Sequence, residues 1–288
     1  MSTNLNYARL GGIEKGELPG AIVFAAIYVP LFVLNAVRSI RHPTYVLIVL
    51  SLFCIMRITA FILRAILSGS NAAGENINLV IAEAIIYSVG FFGLLYSAYT
   101  LVLDRERMTH SHGSGSRLVS LCLRLLTNRR LVRVALLAAV ALGITAGSTM
   151  GSQQQSTLNT GRTLRKASIY IFLAIAACLV LVTGHLAASE LPGMKGDAPL
   201  GRRYRTIVLL GIAFLCLVRE AFFAATHNHP AKQDNPRLWY PLSALTELLA
   251  VLLFAMPGLV PSRREIAEAE KYKTGVSDSE VEMRGYSA

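Results

Sequence analysis

Charge is what this chain is short of: only 16% of its 288 residues are Asp, Glu, Lys or Arg, against about 25% in an ordinary soluble domain. With 53% hydrophobic residues and a mean hydropathy of +0.50, it has too little polar side chain to cover a water-facing surface. That excludes a cytosolic, nuclear or secreted enzyme. Asn-x-Ser/Thr sequons are absent. Of the four cysteines, Cys54, Cys178 and Cys216 fall in apolar runs and Cys122 in a basic loop, so no extracellular disulfide is expected. The last apolar run has no lysine, which excludes the Schiff base of a retinal protein. His185 is the sole histidine inside an apolar run, so the ligand set of a seven-helix zinc hydrolase is missing. His110 with His112, and His227 with His229, lack carboxylate or thiol partners at ligand spacing. No catalytic machinery, metal or cofactor is expected.

What is present is a series of uncharged runs near the ~20 residues that cross a ~30 Å hydrocarbon core. Seven are readable, at residues 18–37, 44–68, 76–103, 131–150, 167–189, 204–226 and 238–260. A barrel's alternation is absent, so the fold class is all-α: a polytopic seven-helix membrane bundle. Residues 1–17 form an extracytoplasmic segment, without a cleavable signal, and 18–260 form the single transmembrane domain. In the tail, 261–288, Ser262-x-x-Glu265 reads as a capping box for a short cytosolic helix, followed by disorder.

The net charge of +11 is first a topology signal, and nucleic acid is not an expected partner. With the N-terminus outside, sixteen of the 28 Lys and Arg lie on the inner side, seven on the outer side and the rest within spans. This orientation places the C-terminus inside. The basic triplet Arg162, Arg165 and Lys166 is the main exception. Cys122, among Leu118, Leu121 and Leu125, lies on an interfacial-helix pattern open to lipidation.

Ionisable groups inside spans cost at least ~2.5 kcal/mol each at the helix centre, which makes them the strongest functional candidates. Arg57 and Arg64 share a face of the second span, Glu83 and Tyr87 lie one turn apart on the third, Arg219 and Glu220 are adjacent on the sixth, and Glu247 is on the seventh. Helical rise puts Glu83, Arg219, Glu220 and Glu247 roughly 10 Å below the outer edge and Arg57 near the middle. The expectation is one outer-half polar cluster in which Arg57 and Arg219 face Glu83, Glu220 and Glu247, with Arg64 snorkelling outward. Trp239 and Tyr240 read as interface anchors, and Gly90, Gly93 and Ser97 as a close-packing stripe. Tyr28-Val29-Pro30, Pro241 and Pro257 mark positions where a helix can kink. Three readings of the cluster stand together: interhelical pins, the polar floor of an outward cavity, or a proton relay.

Several stretches carry a resemblance. Ile27-Tyr28-Val29-Pro30, LFCIMRIT at 52–59, Glu83 with Ile86-Tyr87-Ser88-Val89-Gly90, and Leu217-Val218-Arg219-Glu220 resemble the seven-helix integral membrane proteins of undefined role common in filamentous fungi. Some of these are described only as a domain of unknown function, and they are distantly similar to fungal lipid-translocating exporters. The resemblance implies a fungal origin and an undefined membrane role. The exporters have an Arg-x-x-Glu type arrangement in the sixth helix, whereas Arg219 and Glu220 are adjacent here.

The functional expectation is an integral membrane protein, of the plasma membrane or an endomembrane, that binds or transports a lipid-like or amphipathic small molecule. Arg57 and Arg219 would meet an anionic or hydroxyl head group. Asp104-Arg105-Glu106 also resembles the acidic-Arg switch of rhodopsin-like receptors, so the alternative is a receptor-like protein with Asp104 and Arg105 as the inner switch and a cytosolic partner at the basic loop. A structural protein with membrane lipids as its partners is the third.

Overall fold

The computed structural model describes residues 8, 13, 15–108, 117–149, 154–190 and 204–260. The expected capping box and tail, and the His110 and His112 loop, lie outside the described residues. Among the described residues there is no strand. Seven helices among these residues are long and apolar enough to cross a membrane. They are α1 (Leu18–Arg41), α2 (Tyr45–Gly69), α3 (Ile77–Met108), α5 (Arg129–Ser148), α6 (Gln155–Glu190), α7 (Arg205–Thr226) and α8 (Pro236–Phe254), with a shorter amphipathic helix, α4 (Arg117–Thr127), between α3 and α5. The chain is an integral membrane protein with a seven-helix bundle.

Local sequence accounts for the helix limits. α1 starts at Leu18-Pro19, where a missing N–H costs nothing, and runs unbroken through Pro30. α5 is capped by the Asn128 side chain, which accepts from Leu131 N. α6 has 36 residues, about 54 Å at the helical rise and well beyond a ~30 Å core. Its polar first turns therefore extend past the apolar span, with Arg162, Arg165 and Lys166 at their end. α8 ends at Phe254, before the expected residue 260. Carbonyls just past its end are taken by basic side chains: Arg38 Nη1 donates to the C-cap Ala255 O (2.5 Å) and Arg205 Nη2 to Gly258 O (2.8 Å). Cations suit this negative end of a helix. Gly258 has φ 85°, left-handed backbone that glycine adopts without strain.

The helices pack in a ring, α1 on α2, α2 on α3, α3 on α5, α5 on α6, α6 on α7, α7 on α8, and α8 back on α1. α3 also touches α6 and α7 and is the inner helix, burying Phe91, Leu94, Leu95, Ala98 and Tyr99. α1 is peripheral: Ile22, Val23, Val29, Val33 and Val37 are all exposed. Exposed apolar faces on the long helices other than α3, around an interior that holds the charges, suit lipid as the surrounding solvent.

Glu17, Arg64, Asn71–Gly74 and Asp234 lie at one end of the bundle, here the N-terminal face. Arg38, Arg105, Arg129, Glu190 and Thr206 lie at the other, the C-terminal face.

Candidate functional site

α8 is not a regular helix where it meets the others. Pro241 cannot donate to the carbonyl four residues back and its ring crowds that carbonyl, and the chain widens into a π-helical turn over Tyr240–Ala244. The wide turn presents Trp239, Ser243 and Glu247 to α2 and α3. This is how an apolar helix brings its one carboxylate into the interior.

Glu247 is the centre of the site. Its Oε1 accepts a hydrogen bond from Arg57 Nη2 at 2.6 Å, and the carboxylate is in ionic contact with Arg57 Nε (2.6 Å to Oε2) and Arg219 Nε (2.5 Å to Oε1), although neither Nε–H is aligned to donate. The second Arg219 edge pairs with the neighbouring Glu220. Arg57 Nη1 donates to the Tyr87 carbonyl at 2.7 Å, and the Tyr87 hydroxyl shares a 2.8 Å hydrogen bond with Ser243 Oγ. The guanidinium planes lie against rings, Arg57 4.0 Å from the Tyr87 centroid and Arg219 4.0 Å from that of Phe91. Planar arginine, unlike lysine, can both fork onto a carboxylate and stack. Arg57 is 0% and Glu247 1% exposed, so this neutral set of two cations and two anions is sealed within the protein.

A second layer lies seven residues along α2, about 10 Å nearer the N-terminal face. Arg64 pairs with Glu17 at 2.7 Å and with Glu83 at 3.1 Å, and its guanidinium sits 3.8 Å from the Trp239 centroid. The Tyr240 hydroxyl donates to Glu17 O at 3.3 Å. Two carboxylates thus meet on the one guanidinium.

The residues expected to form one cluster thus form two. Glu83 belongs to Arg64 rather than Arg57, because Arg64 near the end of α2 and Glu83 near the start of α3 both lie close to the N-terminal face, while Arg57 lies two turns deeper. Arg64 does not snorkel: it is 6% exposed, since Glu17 and Glu83 satisfy it inside. Trp239 is no interface anchor but a buried ring under Arg64. Glu17, expected in the extracytoplasmic segment, joins this layer instead; its signal in the sequence is an acidic residue against the start of an apolar run. Gly90 does serve close packing, since a Cβ there would lie 3.1 Å from Arg57 Nη1. Tyr28 Oη and Asn35 Oδ1 are buried and have no hydrogen-bond partner.

At the C-terminal face Arg105 Nη2 binds Glu190 at 2.9 Å and its Nε binds Thr206 Oγ1 at 3.1 Å, joining α3, α6 and α7. Asp104 instead accepts Arg129 at 3.1 Å. The two switch candidates therefore hold different helices.

On the lipid-facing side, α1 and α2 part into a groove of about 500 Å³, lined by Leu18, Ile22, Ala26 and Val29 of α1 and Ile58, Ile62 and Ile66 of α2. Its upper end adjoins Glu17 and Arg64 in sequence.

The model of a domain of unknown function, DUF7702, matches residues 20–264. The chain belongs to this family. The DUF7702 stretch takes in α1 almost from its start to beyond α8, and so contains both charge layers except Glu17, just upstream. No curated protein and no solved structure matches the chain.

Proposed function

We propose that this DUF7702 protein binds, and carries across or within the membrane, an amphipathic lipid-like molecule whose tail lies in the α1–α2 groove. The groove is the observation that carries the reading. Its volume of about 500 Å³ falls within the ~300 to 1,000 Å³ of ligand sites. From Leu18 to Val29 it follows the helix for about 17 Å, against the ~15 Å of one leaflet's hydrocarbon. A single alkyl chain entering sideways from lipid fits it. The residues next to its upper end belong to the Glu17, Arg64 and Glu83 layer, whose two carboxylates complement a cationic head. Arg57 and Arg219, expected to meet an anionic head, have their guanidinium edges engaged by carboxylates, which supports a framework role for them. The charge count supports placing the N-terminal face outside, and the resemblance to exporters supports an amphipath as cargo.

The test uses protein reconstituted in phosphatidylcholine vesicles with a photoreactive C16 alkylamine and the C16 fatty acid. Labelling of α1 and α2 peptides by the amine, reduced about tenfold (about 1.4 kcal/mol) in Ala26→Trp, is the expected result. Equal labelling of the variant, or of both probes, overturns the reading. A receptor is the second reading, favoured by the Arg105, Glu190 and Thr206 junction. Amine-dependent capture of a cytosolic protein without amine movement between leaflets would select it.

A further inference from the structure

Two thiols 56 residues apart in the chain meet between the amphipathic helix and a span. Cys122 of α4 and Cys178 of α6 have their Sγ atoms 3.3 Å apart. Both are free, while Cys54 lies against Asn35 and Cys216 sits singly in the core. The contact follows from how α4 is held. Leu118, Leu121 and Leu125 are exposed, whereas Cys122 and Leu126 are buried, so α4 turns its thiol face to the bundle. One turn beyond Cys122, the Tyr99 hydroxyl donates to Leu126 O at 2.7 Å and pins the helix to α3. This orientation also corrects the lipidation expectation: Cys122, 4% exposed, points at α6 and not at lipid or water.

We infer that Cys122 and Cys178 form an oxidisable dithiol site that a small peroxide converts to an intramolecular disulfide joining α4 to α6. A disulfide needs its sulfurs about 2.05 Å apart, so closure asks roughly 1.3 Å of movement, within reach of an 11-residue helix on the edge of the bundle. Cys178 is the more exposed thiol and reacts first. Its sulfur attacks one peroxide oxygen, the O–O bond breaks, and the thiol proton leaves with the departing oxygen as water, giving a sulfenic acid. Cys122 sulfur then attacks the sulfenic sulfur, the S–S bond forms, the S–O bond breaks, and the hydroxyl departs as a second water with the Cys122 proton. In total two thiols and one hydrogen peroxide give one disulfide and two waters. On a reducing side of the membrane the resting state is the dithiol. The bridge closes a loop that contains α5 and the first two-thirds of α6, so oxidation restrains α4 against the bundle.

The test treats the full chain in vesicles with hydrogen peroxide, blocks remaining thiols with N-ethylmaleimide, and maps the peptides by mass spectrometry with and without dithiothreitol. The expected result is a reducible Cys122–Cys178 linked peptide, with Cys54 and Cys216 still alkylated and a thermal midpoint that rises on oxidation. Cys122→Ser and Cys178→Ala each lose both the peptide and the rise; two variants guard against one that does not fold. Absence of the linked peptide at a peroxide dose that oxidises a control dithiol overturns the site. So does a link between two copies of the chain, or equal oxidation of all four thiols.

Discussion

Glu247 shows how much can rest on one carboxylate in a low-dielectric interior. Charges of this kind are tolerated in a bundle only when each finds a partner, and Glu247 partners two cations. Removing its charge leaves Arg57, among the described residues, without a paired carboxylate and Arg219 with Glu220. Breaking a buried pair in this way costs about 3 to 5 kcal/mol, far more than the intact pair contributes. Glu247→Gln is therefore expected to lower the thermal midpoint sharply in detergent, measured by intrinsic fluorescence. A variant as stable as the wild type would show that the arginines have other counterions. Arg57→Met combined with Glu247→Met should recover part of the loss, because Arg219 keeps Glu220 and no orphan charge remains between them.

Between elements, the deciding feature is how closely α3 approaches α2. Gly90 has no side chain, and this lets the Arg57 guanidinium reach the Tyr87 carbonyl. Alanine usually gains about 0.5 to 1 kcal/mol over glycine inside a helix. At Gly90 the new methyl would sit 3.1 Å from Nη1 and 3.3 Å from Cζ of a guanidinium held by Glu247 on its other side. Overpacking of that sort costs about 1 to 3 kcal/mol, so the net sign is destabilising. At Gly184, where the nearest atom is 3.9 Å away, the propensity gain should survive. Gly90→Ala is expected to lower the midpoint and Gly184→Ala to hold or raise it; the same sign at both positions would refute the close-approach argument. The Pro241 turn works at this scale too, since only the wide turn brings Ser243 to Tyr87 and Glu247 to Arg57.

For the molecule as a whole, the two faces differ in what they do with acids. At the N-terminal face, burial pushes the Asp234 carboxyl up to about 6, against the lowering effect of Arg165 and Arg64, with Glu17 and Glu83 raising it further. A carboxyl whose folded pKa exceeds its unfolded value binds its proton more tightly when folded. Stability is then higher in acid and falls as pH rises from about 4 through about 6. Asp234→Asn should flatten that decline in a pH series of unfolding midpoints, and an unchanged slope would place its origin elsewhere. At the C-terminal face, Arg105 with Glu190 and Arg129 with Asp104 tie the helix ends together, the contacts a moving bundle would have to exchange.

Composition and run length by themselves determined that the chain is a seven-helix membrane bundle, because burying backbone in lipid leaves few other solutions and ~20 apolar residues suffice to mark each span. The same reasoning singled out Arg57, Arg64, Glu83, Arg219, Glu220 and Glu247, since a charge in an apolar run stands out whatever the fold. Partnership was not legible. Which carboxylate meets which guanidinium depends on helix rotation and relative depth, and a few ångströms assigned Glu83 to Arg64 and left Glu247 to Arg57 and Arg219. Glu17 was invisible as a partner because its neighbour lies 47 residues away on another helix. The Cys122 and Cys178 contact likewise exists only because α4 folds its thiol face inward, which the amphipathic pattern marked as a face without naming what lies against it.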